Sequence, residues 1–143
     1  NTNGNPYSNA IMMGQDRTLR WTQDGWPVVM PERYGNVPQL TILESELKGK
    51  WELIPLSYKV GQQCTAVSMT LGSNHKITEG FKAGSTWKYD KAAGILYIAG
   101  IPMYLSREVD WESNPRKATI VFSGLSNYNS KNNLFTYWGK KTN

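Results

Sequence analysis

The sequence predicts an all-β protein, and three observations support this. Short runs of β-branched and aromatic residues recur along the 143 residues. An apolar pattern at i, i+3, i+4, i+7 is nowhere sustained over three turns. Turn-forming groups separate the runs, for example at 90–94, 113–115 and 127–133. Eight or so short strands from about residue 48 onward favour an antiparallel barrel or sandwich, and a barrel has no open edges.

The predicted strands follow one another at short intervals. The first two, at 18–21 and 26–30, are joined across 23–25, where Asp24-Gly25 is a strong hairpin signal because glycine accepts positive φ. Further strands are predicted at 51–58, 65–71, 76–81, 85–89, 95–99, 103–105, 118–122 and 134–138, and one helical turn at 43–47. In the strand at 118–122, positions 118, 120 and 122 fall on one face and positions 119, 121 and 123 on the other, as expected of a strand with one side on a core.

Composition excludes several classes of protein. Aromatic residues make up 12% of the chain, which provides enough large apolar side chains for a core. Only 19% of the residues are charged, and together these values argue against disorder. The net charge of +5 comes from basic residues spread singly, so nucleic-acid binding is not predicted. No apolar run approaches the ~20 residues that span a bilayer, so membrane association is not predicted either. Cys64 and His75 are each the only residue of their type. A disulfide within the chain is therefore excluded, and we assign no metal ligands.

The chain divides near residue 37. Before that point lies a hairpin carrying Trp21, Trp26, Val28 and Val29, which is too small to bury its own apolar surface. We therefore expect it to pack on protein outside this chain. The predicted division is 1–37 and 38–143, and the start at Asn1 is expected to come from processing or from a nick in a larger protein.

The most specific motif is W-T-Q-D-G-W-P-V-V-M-P-E-R-Y at 21–34. It closely resembles the segment that closes the five-bladed β-propeller of family 43 glycoside hydrolases, in particular the two-domain endo-1,5-α-L-arabinanases. The resemblance implies the terminal hairpin of a five-bladed β-propeller at 1–37, followed by a small antiparallel, lipocalin-like β-barrel at 38–143. It assigns nine residues to the joint between propeller and barrel: Trp21, Asp24, Gly25, Trp26, Pro27, Pro31, Glu32, Arg33 and Tyr34.

The resemblance also implies a function. Such enzymes hydrolyse internal α-1,5 links of arabinan with inversion, using an acid and a base that stand roughly 6.5 to 9.5 Å apart. Their catalytic carboxylates lie on earlier propeller blades, so this chain alone is predicted to be inactive. A metal ion, usually calcium, is expected in the parent propeller and no cofactor in this chain. The implied partners are the catalytic propeller portion of the same enzyme and arabinan, in an extracellular or periplasmic bacterial setting.

Three residues are candidates for sugar contact, namely Trp87, Trp111 and His75. Aromatic faces stack on the apolar faces of sugar rings, although packing in the core or between domains is the competing interpretation for these rings. Two other functions stay open. One is a stand-alone carbohydrate-binding β-barrel module, and the other is a lipocalin-like carrier of a small ligand, which has no need of the hairpin at 17–30.

Overall fold

The computed structural model describes residues 14–56, 64–126 and 135–142. The described elements are all-β apart from one short helix. In chain order they are β1 (Leu19–Trp21), β2 (Pro27–Val29), α1 (Glu44–Leu47), β3 (Gly49–Leu56), β4 (Val67–Leu71), β5 (Ile77–Gly80), β6 (Trp87–Asp90), β7 (Ile95–Ile98), β8 (Ile101–Asp110), β9 (Lys117–Ser126) and β10 (Phe135–Lys141).

Eight of the strands form one antiparallel sheet that closes into a barrel. Its strand order is β5-β4-β3-β10-β9-β8-β7-β6. The two end strands approach each other next to the bridge between Lys76 and Thr86, and the Ile77 amide donates to the Ser85 carbonyl at 2.9 Å. The barrel is therefore nearly closed, and few backbone groups are left without a strand partner. The predicted barrel is confirmed.

Side chains fill the interior of the barrel. Trp51 and Phe122 are almost fully buried, and their ring centroids lie 5.4 Å apart. Gly139 makes room for the Phe122 ring, because a Cβ at that position would lie 2.1 Å from Phe122 Cζ. Helix α1 closes one end with buried Leu47, whose carbonyl accepts a hydrogen bond from Trp51 Nε1 at 2.8 Å. These buried contacts stabilise the barrel.

The strand β9 departs from the predicted one-sided pattern. Residues Ile120 to Ser123 are all at most 4% exposed, so both faces of the strand are buried. The inner face packs in the barrel core. The outer face carries Val121, which lies in a second apolar cluster with Val28 and Met30. The one-sided prediction was wrong because a local pattern does not show what covers the outside of a sheet.

The same cluster corrects the prediction for the hairpin. Strands β1 and β2 form the predicted antiparallel ribbon, with Gly25 at φ 85° in its turn. The ribbon was expected to lack a partner within this chain, yet Val28 and Met30 are buried against the barrel's outer wall. Only the other face of the ribbon is left open, so the expectation was wrong for one face.

Candidate functional site

The candidate site is the joint between the barrel and the N-terminal arm, which we define as residues 14–40. The arm crosses the outer wall of β8, β9 and β10. Alternation along the ribbon directs Val28 and Met30 toward this wall, where they pack in one cluster with Ile95, Tyr104 and Val121. Met30 is 0% exposed. The arm is thus attached through a small apolar core of its own.

Two tryptophan side chains of the barrel hold the arm's backbone. Trp138 Nε1 donates to the Val29 carbonyl at 3.0 Å, and Trp111 Nε1 donates to the Arg33 carbonyl at 2.9 Å. Arginines of the arm cover both rings in return. The guanidinium of Arg17 lies 5.2 Å from the Trp138 ring centroid, and that of Arg33 lies 4.7 Å from the Trp111 ring centroid. Each such contact contributes about 0.5–1 kcal/mol where it is exposed to water.

A four-residue ion cluster joins the arm to the strand ends. Lys140 Nζ lies 3.1 Å from Glu32 of the arm, 3.0 Å from Asp110 and 2.7 Å from Glu112. Glu32 and Asp110 are largely buried, whereas the Glu112 side chain is 84% exposed. Glu32 therefore links the arm to the barrel through its ion pair with Lys140. Removing Lys140 would leave two poorly hydrated carboxylates side by side.

The pKa values in this cluster follow from burial and charge. Burial by itself lowers the pKa of Lys140, but the hydrogen bonds that its ammonium donates to Glu112, Asp110 and Glu32 outweigh it and raise the pKa above 10.5. Burial raises the pKa of Asp110, but the hydrogen bond and charge of Lys140 outweigh it and hold the pKa below 3.8. Every member of the cluster whose pKa is shifted is thus stabilised in its charged form near neutral pH.

The end of the arm is fixed to β8 by a single amide side chain. Gln39 Nε2 donates to the Arg107 carbonyl at 2.6 Å, and the Arg107 amide donates back to Gln39 Oε1 at 3.1 Å. The Ser106 hydroxyl also donates to Gln39 Oε1 at 3.1 Å. The side-chain amide of Gln39 thus makes the same pair of hydrogen bonds to the Arg107 backbone that a residue of a neighbouring strand would make. Gly35 passes so close that a Cβ there would lie 2.3 Å from Val109 Cγ2.

The opposite face of the ribbon is apolar and exposed. Leu19 pairs with Val29 and Trp21 pairs with Pro27 across the ribbon, so all four side chains share the face that points away from the barrel. Trp21 is 64% exposed, Leu19 44% and Val29 40%. Trp26 and Tyr34 are also exposed, at 51% and 56%. Leu19, Trp21 and Val29 therefore form an exposed apolar patch on the ribbon.

The structure separates the three candidates for sugar contact. Trp87 is 2% exposed and its Nε1 donates to the Gly72 carbonyl at 3.0 Å, so that its faces are not available to a sugar and the proposed contact at Trp87 is wrong. His75 is half exposed and lies in a turn at φ 57°. Its Nε2 contacts Glu44 Oε1 at 3.0 Å, and its ring lies 4.7 Å from that of Trp87.

Trp111 is only partly exposed, and two cations lie over its ring. The guanidinium of Arg116 lies 4.8 Å from the ring centroid and that of Arg33 lies 4.7 Å from it. Its ring is therefore part of the attachment of the arm. Sugar contact at Trp111 and His75 remains a prediction.

Several residues of the joint escaped sequence reasoning, namely Arg17, Gln39, Asp110, Trp138 and Lys140. Their hydrogen-bond partners across the joint lie 13 to 109 residues away along the chain, so no local pattern reveals them. One signal was available for Trp138. It alternates with Tyr137, which belongs to the core, so Trp138 has to lie on the outer wall of the barrel.

The described residues contain neither a cluster of metal-binding side chains nor a helix suited to cross a membrane. No group of three or more His, Cys, Asp or Glu side chains that could hold a metal ion was found there. In the same part of the chain, no helix combines the length and the apolar character that crossing a membrane requires.

The fold and the joint together define an accessory domain: a packed eight-stranded barrel that holds, on its outer wall, a ribbon with one face open to further protein. The family model for GH43_C, described as a C-terminal lipocalin-like domain, matches residues 31–136. The chain belongs to this family, the C-terminal domains of family 43 glycoside hydrolases. No curated protein matches the chain.

Solved structures of family 43 proteins share the fold. The YxiA protein from Bacillus licheniformis, a family 43 glycoside hydrolase, matches 88% of this chain at 22% identity with a TM-score of 0.62. The endo-1,5-α-L-arabinanase from Thermotoga petrophila RKU-1, in complex with Tris, matches 89% of it at 19% identity with a TM-score of 0.64. This chain covers 27% and 28% of the length of those two proteins.

Proposed function

We propose that this chain is the C-terminal part of an inverting endo-1,5-α-L-arabinanase of family 43. Residues 1–37 would complete the catalytic β-propeller, and residues 38–143 would form the accessory barrel that braces it. The motif at 21–34, the family and the arabinanase among the structural matches all support this parent. The observation that carries the proposal is the ribbon, which is attached to the barrel on one face and apolar and exposed on the other.

The hydrogen-bonding phase of the ribbon indicates where the propeller would add a strand. The Met30 amide donates to the Thr18 carbonyl and the Thr22 amide donates to the Trp26 carbonyl, so even-numbered residues of β1 bond to β2. The amides and carbonyls of Leu19 and Trp21 must therefore point away from β2. They find no backbone partner within the described ranges. An edge of this kind accepts an extended strand.

The other edge of the ribbon is closed. Pro27 has no amide proton to donate along the outer edge of β2. The Val29 carbonyl on that edge already accepts the hydrogen bond from Trp138 Nε1 at 3.0 Å. A strand of the propeller would therefore join at β1, with Trp21 and Leu19 covered by the body of the propeller.

Glu46 and Asp110 are unsuited to act as the general acid, which agrees with the proposal that the acid and base lie in the propeller. The side-chain hydrogen bond from Arg107 lowers the pKa of Glu46, and the pKa of Asp110 is also low. A general acid needs its pKa raised. We therefore expect the isolated chain to be inactive, with calcium bound in the propeller of an enzyme that acts on arabinan in the extracellular or periplasmic space.

The barrel's role in this proposal is mechanical. It would hold the last propeller hairpin through the Met30 cluster and the Lys140 cluster, and so keep the blade in register. The contacts of the barrel would lower the activation barrier of hydrolysis only if they were stronger in the transition state than in the ground state. Loss of the barrel should therefore reduce stability before it changes the chemistry.

The test uses this chain with and without the catalytic segment that the proposal places ahead of it in the same enzyme. The chain alone should release no reducing ends from linear arabinan, whereas the two polypeptides expressed together should co-elute and hydrolyse it. Trp21→Ser should weaken their association by at least about tenfold, because a buried tryptophan at an interface is worth roughly 2 kcal/mol or more.

The matched control is Val67→Ser, which removes another exposed apolar side chain, 38% exposed on β4. It should leave co-elution and activity unchanged. Hydrolysis of arabinan by the chain alone would refute the inactive role. Equal effects of Trp21→Ser and Val67→Ser would refute the ribbon as the docking surface.

A further inference from the structure

One end of the barrel carries basic side chains on its inner face. Arg107 pairs in register with Ile120, which lies in the core, so both side chains point inward. Lys141 lies four residues after Tyr137 of the core and has the same orientation. Beside α1, these residues line a concavity of about 300 Å³ that we call the mouth: Glu46, Arg107, Lys117, Ala118, Thr119, Ile120, Lys141 and Thr142.

The mouth has more positive than negative charge. Arg107 Nη2 contacts both oxygens of Glu46, at 2.9 and 2.8 Å, so the only carboxylate of the mouth is already bound. Lys117 and Lys141 have no ion pair with any carboxylate of the described residues. Three basic side chains thus face one acidic side chain, and among the described residues only Arg107 is in direct contact with it.

Lys141 is held in an unfavourable setting for a cation. Its partial burial and the nearby charge of Lys117 lower the pKa of its amine below 10.5, and the attraction of Glu46 only partly offsets them. A negatively charged group placed between the two lysines would relieve their repulsion. Buried Ile120 lies at the base of the mouth, so a ligand would sit at the barrel end rather than inside it.

We propose that the mouth is an anion-binding site for the carboxylate of an acidic sugar or for inorganic phosphate. Lys141 and Lys117 supply the charge, and the Thr142 hydroxyl supplies a neutral donor. The site goes beyond the proposed function, because arabinan carries no charge. Only the choice of an acidic sugar as the natural ligand rests on the proposed function, because a polysaccharide hydrolase works among sugar chains and some sugars carry a carboxylate.

Isothermal titration calorimetry of the 143-residue chain tests the site with three probes: trigalacturonate, inorganic phosphate and neutral arabinotriose. We expect saturable 1:1 binding of an anionic probe and none of arabinotriose at this site. Lys141→Gln should weaken binding by about tenfold, the usual scale for losing one charge-assisted contact. Lys88 is exposed on β6, so Lys88→Gln removes the same charge elsewhere and should change binding less than about twofold.

A second measurement distinguishes binding from loss of folding. Side-chain NMR of the Lys141 amine should show its pKa rising when the anion binds, because the anion favours the charged form. Trigalacturonate binding alone would assign the site to acidic sugars, and phosphate binding with the same dependence on Lys141 would assign it to the inorganic ion. The proposal is overturned if neither anion saturates, if arabinotriose binds as tightly, or if Lys88→Gln weakens binding equally. None of these results depends on arabinan hydrolysis, so the two proposals fail separately.

Discussion

Met30→Ala tests whether the arm and the barrel fold as one unit. Met30 is 0% exposed between the ribbon and the outer wall of the barrel, in the cluster with Tyr104 and Val121. The substitution removes three side-chain heavy atoms from a site that water does not reach. If the arm were only an appendage, the barrel would unfold at the same denaturant concentration with or without this side chain.

The expected loss follows from the burial of Met30. Truncating a fully buried methionine to alanine costs about 2–5 kcal/mol, the upper part applying where the surroundings cannot collapse. The site has one wall on the rigid β8–β9 pair and one on the thin ribbon, which can shift inward. We therefore expect about 2–3 kcal/mol. The neighbour Val29 is 40% exposed on the opposite face, and Val29→Ala should cost under about 0.5 kcal/mol.

Urea denaturation of the 143-residue chain, followed by far-ultraviolet circular dichroism, measures both losses. Met30→Ala should lower the midpoint without changing the slope, because one cooperative transition is retained. Equal midpoints for Met30→Ala and Val29→Ala would refute the reasoning, since burial against the barrel would then contribute nothing.

Three further predictions concern the joint and the core. Gly139→Ala should lower the free energy of unfolding of the barrel by about 1–3 kcal/mol, because the new Cβ would overlap the ring of buried Phe122. Thermal unfolding measures the loss, and a stability equal to that of the parent chain would contradict this packing. Trp111→Phe removes the Nε1 donor to the Arg33 carbonyl but keeps an aromatic ring beside the two arginines. It should lower the free energy of unfolding by about 0.5–1.5 kcal/mol and increase amide hydrogen exchange in the arm rather than in the barrel. The lowered pKa of Asp110 and the raised pKa of Lys140 stabilise the fold above the unfolded-state pKa of the first, 3.8, and below that of the second, 10.5. The free energy of unfolding should therefore fall below about pH 4 and above about pH 10.5, and Lys140→Met should flatten the alkaline limb.

Local chemistry made the barrel predictable. Every predicted strand from 51–58 onward overlaps an observed one, and the turn at Gly25 has the positive φ that its motif requires. The predicted helical turn is also present as α1. The ends of the strands were predicted less accurately than their positions. The sequence predicted a strand at 103–105, whereas β8 runs from Ile101 to Asp110, because pairing with β9 carries polar residues into the ladder.

Long-range contacts explain the errors. Whether Val28 faces water or the barrel depends on Tyr104 and Val121, which the chain brings close only in the fold. Trp87 and Trp111 both follow polar neighbours in sequence, yet one points into the barrel and the other lies on its wall. Alternation identifies two faces of a strand but does not say which one is the interior. Reasoning from one segment at a time therefore could not locate the joint.

The uneven exposure of the tryptophans gives the molecule an optical property. Trp51 and Trp87 lie in apolar surroundings and should emit at short wavelength, whereas water around Trp21 and Trp26 should shift their emission to longer wavelength. If another polypeptide covers the ribbon, the long-wavelength component should move toward the blue while the emission from the barrel stays constant. The chain thus carries its own fluorescent indicator of docking, and the signal comes from the two tryptophans of the ribbon.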